Sequence, residues 1–262
     1  MSSFLSRVQR GRRSNPPRIV VHGTPGIGKS TFAAAAPRPI FIQTEDGLDE
    51  IDCTRFPMAV SFSEVVSSLR ELVSEEHDFE TVVIDSLDWL ERLIHDDVCA
   101  EYGVKNIEKA DGGYARGYKH ALDRWREIIQ HLDHLRNRRG MIVILLAHSK
   151  VERFEDPEAS PYDRYVPRLH KHAIDLVSEW ADAVLFATRK IRTKTEDAGF
   201  NRKRTTAAAV GKDGGERILR CVGGPACMAK NRYGINEELP LSWVEFMGSL
   251  SGKLSGNPTE AN

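Results

Sequence analysis

The residues best suited to chemistry form one uninterrupted segment near the start of the chain, Gly23-Thr24-Pro25-Gly26-Ile27-Gly28-Lys29-Ser30-Thr31. Its first eight residues match the pattern GxxxxGK followed by Ser or Thr, in which glycines let successive backbone N–H groups turn toward phosphate oxygens. Lys29 would then reach the β- and γ-phosphates, and the Ser30 hydroxyl would ligate Mg²⁺. A chance glycine turn before a helix is the alternative. Eight matching residues between a predicted strand and a predicted helix favour a nucleoside triphosphate site.

A nucleotide-bound Mg²⁺ also needs a carboxylate at the end of a neighbouring buried strand. Asp85 directly follows an apolar run over residues 82–84 and is the predicted second metal ligand beside Ser30. It could also cap the next helix, and the two roles can coexist. The residue after Asp85 is Ser86, whereas P-loop ATPases of the AAA+ type usually place there the Glu that polarises the attacking water. The catalytic base must therefore lie elsewhere, or hydrolysis must be very slow.

Two segments resemble the RecA-like ATPases. Residues 41–49 (FIQTEDGLD) are similar to the segment whose Glu activates the attacking water, and residues 82–87 (VVIDSL) are similar to the metal-binding strand. The resemblance implies ATP as the nucleotide and Glu45 as the catalytic base, since the mechanism requires a group that orients water. Asp46 is the rival for this role, and an ordinary solvated loop carboxylate is the alternative for Glu45.

His148 follows a second buried apolar run, residues 141–147. In RecA-like proteins the residue at this strand end is polar, often Gln, and senses the γ-phosphate. A histidine departs from that pattern, although it can still donate a hydrogen bond to a phosphate oxygen. We therefore predict a phosphate-sensing role for His148 from its position. A structural or surface histidine is the alternative.

The segment Lys230-Asn231-Arg232-Tyr233-Gly234 resembles the KNRFG-type motif of bacterial RadA and the Lys-x-Arg element of DnaB-type ring helicases. In those families the two cations reach the γ-phosphate that the neighbouring subunit binds, and they stabilise charge that develops in the transition state. The resemblance implies catalytic roles for Lys230 and Arg232 and a homo-oligomer, either a ring or a filament. A basic turn without function is the alternative.

The same resemblance predicts that single-stranded DNA binds at loops after the metal-binding strand and after the sensor strand. Residues 111–119 interleave aromatic and cationic side chains around glycines, which suits base stacking and backbone contact. Residues 149–172 are the second segment. The candidate DNA-binding residues are Tyr114, Arg116, Tyr118, Lys119, Lys150 and Arg153. Solvated loops are the alternative for both, and the basic stretch 189–204, a predicted hairpin around Gly199, is assigned no site residue.

Strands and helices alternate along the chain, which predicts the scaffold for these residues. Strands are expected at residues 18–22, 40–42, 81–85, 141–147 and 183–187. The expected fold is α/β, a RecA-like P-loop NTPase core with a mostly parallel central sheet flanked by helices. Residues 149–175 contain three prolines and little periodicity, and they are predicted to form a long mobile loop with a helical end.

Length and composition bound the remaining possibilities. The 262 residues carry 37 basic and 38 acidic side chains, so the chain is not a polycation, although local basic segments leave nucleic-acid binding open. The longest apolar run, residues 141–147, is far shorter than the ~20 residues of a membrane helix, and no membrane contact is expected. Four cysteines without a CxxC pair favour a reducing compartment, the cytoplasm, or the host cytoplasm if the protein is phage-encoded. We predict a flexible basic arm (1–17), one ATPase domain (18–247) and a disordered tail (248–262).

A bare RecA-like core of this size is similar to the phage nucleotide-binding proteins of the Sak-type single-strand annealing group. That similarity implies a DNA-stimulated ATPase that binds single-stranded DNA and promotes annealing or strand exchange in phage recombination. A single-strand-binding protein is a further candidate partner. The alternatives are a ring-shaped DNA motor or helicase-like accessory ATPase, and a nucleotide-dependent switch or loader acting on a protein partner. A small-molecule P-loop kinase is a further alternative, but it would leave residues 230–234 without a purpose.

Overall fold

The computed structural model describes residues 4–8, 11, 15–158, 160–197, 203–210 and 215–254. The strands are β1 (Arg18–Gly23), β2 (Pro39–Gln43), β3 (Thr54–Arg55), β4 (Thr81–Asp85), β5 (Ile142–Phe154), β6 (Tyr162–Pro167), β7 (Ala183–Arg189), β8 (Ile191–Asp197), β9 (Lys203–Ala209), β10 (Arg217–Arg220), β11 (Lys230–Asn231) and β12 (Glu238–Pro240). The helices are α1 (Lys29–Ala34), α2 (Phe62–Ser74), α3 (Leu87–Glu101), α4 (Arg116–Arg138), α5 (Lys171–Trp180) and α6 (Trp243–Leu254). Short 3-10 helices span Phe4–Arg7 and Ile107–Gly112.

The central sheet has the strand order β12-β10-β7-β1-β5-β4-β2-β3. The strands from β7 to β3 run parallel to one another, and at one end β10 pairs antiparallel with β7 and β12 pairs antiparallel with β10. Strand β5 lies between β1 and β4, with His148 level with Gly23 and Leu146 level with Asp85. The carboxyl ends of β1, β5, β4 and β2 therefore meet at one edge, called the carboxyl edge below. The predicted α/β fold with a mostly parallel sheet is confirmed.

Helices cover both faces of the sheet, which explains why its strands are apolar without interruption. Side chains alternate between faces along each strand: Val20 and Ile84 pack toward α2, α3, α4 and α5, whereas Val21 and Val83 pack toward α1 and α6. Trp125 of α4 is one of the largest fully buried side chains on the first face. Two hydrophobic layers thus hold the carboxyl edge rigid from both sides.

The prediction of a long mobile loop over residues 149–175 is wrong. Strand β5 continues to Phe154 and pairs antiparallel with β6, from Ser149 opposite Pro167 to Phe154 opposite Tyr162, and α5 follows. This β5–β6 hairpin extends past the carboxyl edge, and its outer residues are largely exposed. Residues 149–167 therefore lack an apolar run like the one that identified the buried half of β5. For this reason the sequence pattern did not predict the hairpin.

The predicted loop 111–119 is also more ordered than expected. Helix α4 begins at Arg116, so Arg116, Tyr118 and Lys119 lie in its first turn, and only Tyr114 belongs to the preceding turn. Gly117 packs directly against Ile107, where an added Cβ would collide with the backbone carbonyl. Close packing of the 3-10 helix on α4, rather than a free loop, therefore sets the positions of these side chains.

The ends of the predicted domain are only partly described. Helix α6 continues to Leu254, seven residues beyond the predicted domain end at residue 247, and the rest of the predicted tail lies outside the described residues. Strands β8 and β9 form the predicted basic hairpin, although Gly199 at its expected turn also lies outside them. None of the helices described combines the length and apolar character needed to cross a membrane.

Candidate nucleotide site

The glycine-rich loop lies at the carboxyl edge, between the end of β1 and the start of α1. Gly26 and Gly28 have φ angles of 72° and 109°, in the left-handed region that favours glycine. Gly23 lies so close to β7 that an added Cβ would collide with the carbonyl oxygen of Ala187. The backbone itself therefore requires the predicted glycines, which leave residues 24–28 curled as a phosphate loop needs.

Lys29 is buried at the base of this loop, with 6% of its surface exposed. Its Nζ donates to the carbonyl oxygens of Gly23 and Thr24, at 3.4 and 3.2 Å. Burial lowers the pKa of Lys29, while the nearby carboxylates of Asp85 and Glu45 oppose that shift. A buried ammonium held only by carbonyl oxygens keeps its charge available for phosphate oxygens, as the sequence predicts for Lys29.

The two predicted metal ligands meet. The Ser30 hydroxyl donates to Oδ2 of Asp85 at 2.6 Å, although the residues are 55 positions apart. Burial raises the pKa of Asp85, and the Ser30 hydrogen bond and the charge of Lys29 act against it. A hydroxyl and a carboxylate oxygen side by side are hard oxygen donors of the kind Mg²⁺ prefers. Ser30 and Asp85 thus fit a nucleotide-bound Mg²⁺, which would neutralise phosphate charge.

Glu45 and His148 lie across the loop in the same cavity of about 360 Å³, which is lined among others by Gly26, Lys29 and Asp85. Oε2 of Glu45 is 3.9 Å from Nδ1 of His148, and 19% of the Glu45 side chain is exposed. Burial raises the pKa of Glu45, and His148 opposes this. Asp46 also lines the cavity but is exposed, so the contact with His148 distinguishes Glu45 from its rival.

Two residues that sequence reasoning missed, Asp88 and Arg168, hold His148 in place. Asp88, in the first turn of α3, accepts hydrogen bonds from the His148 backbone N–H at 3.0 Å and ring Nδ1 at 3.1 Å, and from Arg168. Burial alone would raise the pKa of Asp88, but these bonds lower it well below its usual range. Asp88 lies three residues after Asp85, and this spacing could have identified it as part of the site. No sequence pattern around Arg168 indicates its role.

Glu45, Asp88 and His148 are close enough to share a metal ion, with one ligand atom of each within 4.8 Å of the others. Both oxygens of Asp88, however, already accept hydrogen bonds from His148 or Arg168. The arrangement therefore orients the histidine ring beside Glu45, where its free nitrogen can act on a phosphate or a water.

Lys230 and Arg232 lie at the edge of the sheet where the parallel strands begin, called the amino edge below. Lys230 and Asn231 pair with Val184 and Ala183 at the amino end of β7. Nζ of Lys230 donates to the Ser178 carbonyl at 2.6 Å, and Arg232 donates to the Glu179 carbonyl and to Asp182. Both cations thus donate hydrogen bonds to backbone carbonyls in the last turn of α5, where helix carbonyls lack intrahelical partners. They do not approach the phosphate loop of their own chain.

The six candidate DNA-binding residues differ in their surroundings. Tyr114 is 94% exposed, and Lys119 is exposed. Arg116 donates to the Asp111 carbonyl, and Tyr118 stacks on His170 with ring centroids 4.0 Å apart. On the β5–β6 hairpin, the side chains of Lys150 and Arg153 form ion pairs with Glu152 and Asp163 respectively. Tyr114 and Lys119 are the members of the set most open to an incoming ligand.

Comparison with known proteins agrees with this geometry. A family model described as an AAA domain matches residues 15–233. The SPbeta prophage-derived uncharacterized protein YorG of Bacillus subtilis (strain 168) is 22% identical over 172 residues, which cover 64% of this chain and 49% of the relative. The chain thus spans about half the length of that relative. With the phosphate loop, the Ser30–Asp85 pair and a family match over most of its length, the chain belongs to the AAA-domain family of P-loop ATPases.

Proposed function

We propose that this ATPase binds single-stranded DNA and uses its nucleotide cycle to promote annealing or strand exchange in phage DNA recombination. The observation that carries the proposal is a continuous set of contacts from the candidate catalytic Glu45 to the base of the β5–β6 hairpin. The likeness to a prophage-derived protein of Bacillus subtilis and the similarity to the Sak-type group support the phage setting.

The contacts run through the start of α3. His148 lies beside Glu45 and shares Asp88 with Arg168, which follows β6 directly. One turn along α3, both carboxylate oxygens of Glu91 accept the backbone N–H of His170, at 3.0 and 2.9 Å. The site beside the nucleotide and the residues after the hairpin are therefore held by the same helix.

The surface above these contacts suits a single strand of DNA. His170 stacks on Tyr118, so the start of α5 and the start of α4 are neighbours. Tyr114, four residues before Tyr118, is exposed, and Trp89 is 38% exposed with the Arg92 guanidinium 4.1 Å from the centre of its ring. Exposed aromatic rings beside cations allow base stacking together with phosphate contact, which single-strand binding uses.

We also propose that the active form is a homo-oligomer in which Arg232 acts on the nucleotide of a neighbouring copy. Arg232 lies at the amino edge, away from its own phosphate loop, and 49% of its side chain is exposed despite its contact with Asp182. Any action on a γ-phosphate must therefore take place in another chain, as for a cation supplied in trans.

ATP turnover titrated with single-stranded and with duplex DNA tests the proposal. We expect strong stimulation by the single strand and little by the duplex. Tyr114→Ala should weaken single-strand retention by about fivefold to a hundredfold, since stacking contributes about 1–3 kcal/mol per base. Lys119→Ala should weaken retention as well and reduce its dependence on salt, since a lysine neutralises a phosphate. The matched control is Arg126→Ala, an exposed cation on the same helix paired with Asp123. Absence of both stimulation and retention would refute DNA binding.

Mixing variants tests the shared site separately. Arg232→Ala should lower turnover while nucleotide affinity stays unchanged, and Lys29→Ala should abolish nucleotide binding. A mixture should recover part of the activity, because a neighbour's intact Arg232 can act on an intact phosphate loop. Failure to recover, with both variants folded by circular dichroism, would show that the site is not shared between subunits.

A further inference from the structure

We propose that Arg217 is a phosphate-binding residue of the nucleotide site and acts within its own chain, from the side opposite Glu45 and His148. Nothing in the glycine-rich motif or in the resemblance to RecA-like proteins assigns this residue. The inference rests on the nucleotide pocket alone and is independent of the proposed DNA binding.

The sheet topology delivers Arg217 to the phosphate loop. It is the first residue of β10 and pairs with Arg189 at the carboxyl end of β7. Strand β7 separates β10 from β1, whereas His148 lies in β5 and Glu45 follows β2, both on the other side of β1. Arg217 therefore reaches the carboxyl edge from the flank that carries none of the predicted catalytic residues.

The guanidinium lies directly against the loop backbone. A β-carbon placed on Gly28 would be 3.0 Å from Nη1 of Arg217 and 3.5 Å from the Leu241 side chain. Arg217 also lines the cavity shared by Lys29, Asp85 and His148. Gly28 is thus constrained twice, by its φ of 109° and by the arginine packed over it.

The donors of Arg217 remain available. Over the described ranges of the chain, no hydrogen bond or ion pair engages its guanidinium. Neighbouring cations behave differently: Lys190 is paired with Glu238 at 2.6 Å, and Arg189, which lies opposite Arg217, donates to the Gly215 carbonyl at 3.2 Å. A guanidinium offers five N–H donors in a planar fork, a geometry suited to bidentate contact with a phosphate.

Charge in the pocket also favours this role. Three carboxylates line it, those of Glu45, Asp46 and Asp85, whereas Lys29 and Arg217 are its lysine and arginine side chains among the described residues. A triphosphate adds further negative charge to that imbalance. A second cation on the loop compensates part of it, and charge-assisted contacts between arginine and phosphate are among the strong hydrogen bonds of proteins.

The test is equilibrium binding of a fluorescent ATP analogue with Mg²⁺ and without DNA, competed by ADP, AMP and pyrophosphate. We expect Arg217→Ala to weaken ATP, ADP and pyrophosphate binding by about tenfold or more, as loss of a charged hydrogen bond implies. Arg217→Lys should recover part of the loss. The matched control, Arg220→Ala, removes a cation of the same strand that lines a different cavity and should leave affinity unchanged.

Unchanged affinity of Arg217→Ala would overturn the proposal. So would a loss of nucleotide affinity with unchanged pyrophosphate affinity, since that result places Arg217 on the base or the ribose. An equal loss in Arg220→Ala would show a general effect on β10 instead. Lys29→Ala, measured in parallel, checks the pocket itself, and its retention of full affinity would refute the nucleotide site rather than Arg217 alone.

Discussion

The two edges of the central sheet each hold a cluster of buried charge, and the clusters differ in how they are compensated. At the amino edge, Asp182 accepts hydrogen bonds from Arg18, Arg136 and Arg232, at 2.9 to 3.3 Å. Burial would raise the pKa of Asp182, but Arg18 above all lowers it. At the carboxyl edge, burial raises the pKa of Asp85, whose closest partner is the neutral Ser30 hydroxyl.

The difference separates a structural cluster from a binding site. Every oxygen of Asp182 is matched by a guanidinium, which leaves no capacity for a ligand. Asp85, Glu45 and Lys29 around the phosphate loop are held by neutral groups or lie several ångströms from an opposite charge, so a metal ion and a phosphate would complete them. Incomplete compensation costs folding stability, and functional sites commonly carry that cost.

The largest expected effect separates catalysis from binding at the carboxyl edge. Glu45→Gln should lower ATP turnover at least about a hundredfold, because a general base of this kind contributes 10²–10⁴-fold. Nucleotide affinity should stay within about twofold of the parent, since Gln keeps the shape of the side chain. Steady-state turnover and equilibrium binding measure the two quantities. Asp46→Asn is the matched control, and loss of turnover in that variant alone would identify Asp46 as the base.

At the amino edge we expect a change in stability instead. Asp182→Asn should lower the free energy of unfolding by about 2–3 kcal/mol, because it leaves arginines without their shared counter-charge. Nucleotide affinity should not change. Urea denaturation gives the stability, and Asp133→Asn, whose carboxylate pairs with Arg18 but is 36% exposed, should cost less. Equal effects of the two variants would contradict the central role of Asp182.

Glu91 is a buried carboxylate outside the nucleotide cavity, and it tests whether burial of a charge without a close cation lowers the stability of the fold. Burial raises its pKa to about 7, against the backbone N–H of His170 and the charge of Lys150. A raised pKa means that the folded state binds the proton more tightly, so this contribution to stability is lost as pH rises from about 4.5 to about 7.

Glu91→Gln should therefore reduce the loss of stability between about pH 5 and pH 8, by up to about 3 kcal/mol relative to the parent. Gln can still accept the His170 N–H, which keeps the contact. Urea unfolding at the two pH values measures the difference. Parallel pH profiles for parent and variant would show that the Glu91 carboxyl titrates near its ordinary pKa.

The smallest expected change in stability is an increase, whereas most substitutions lower the free energy of unfolding. Asp85→Asn should raise the free energy of unfolding of the protein alone by about 1 kcal/mol, because it removes a buried charge that lacks an arginine partner. The same change should abolish Mg²⁺-dependent turnover. Thermal denaturation without nucleotide measures the first effect. A variant less stable than the parent would mean that the ionised Asp85 stabilises the fold, and the contrast between the two edges would fail.

Much of the site could be predicted because its signals are local. The motif over residues 23–30 predicts both the glycine conformations and the first candidate metal ligand, Ser30, and the apolar run before Asp85 predicts the second candidate at a strand end. Continuous apolar runs likewise predict a sheet covered on both faces. The β5–β6 hairpin escaped prediction, because its strands project beyond the sheet and lack such a run.

What the chain alone determined is therefore the identity of the phosphate loop, its metal ligands and the class of fold, since each depends on neighbours within a few residues. Only the tertiary structure decided which distant groups join them. The strand order brings Arg168 to His148 and Arg217 to Gly28, and it sends Arg232 to the opposite edge. The local sequence does not give these positions, because strand pairing sets them: the β5–β6 hairpin places Arg168, and the pairing of β7 with the distant β1 and with β10 and β11 places Arg217 and Arg232.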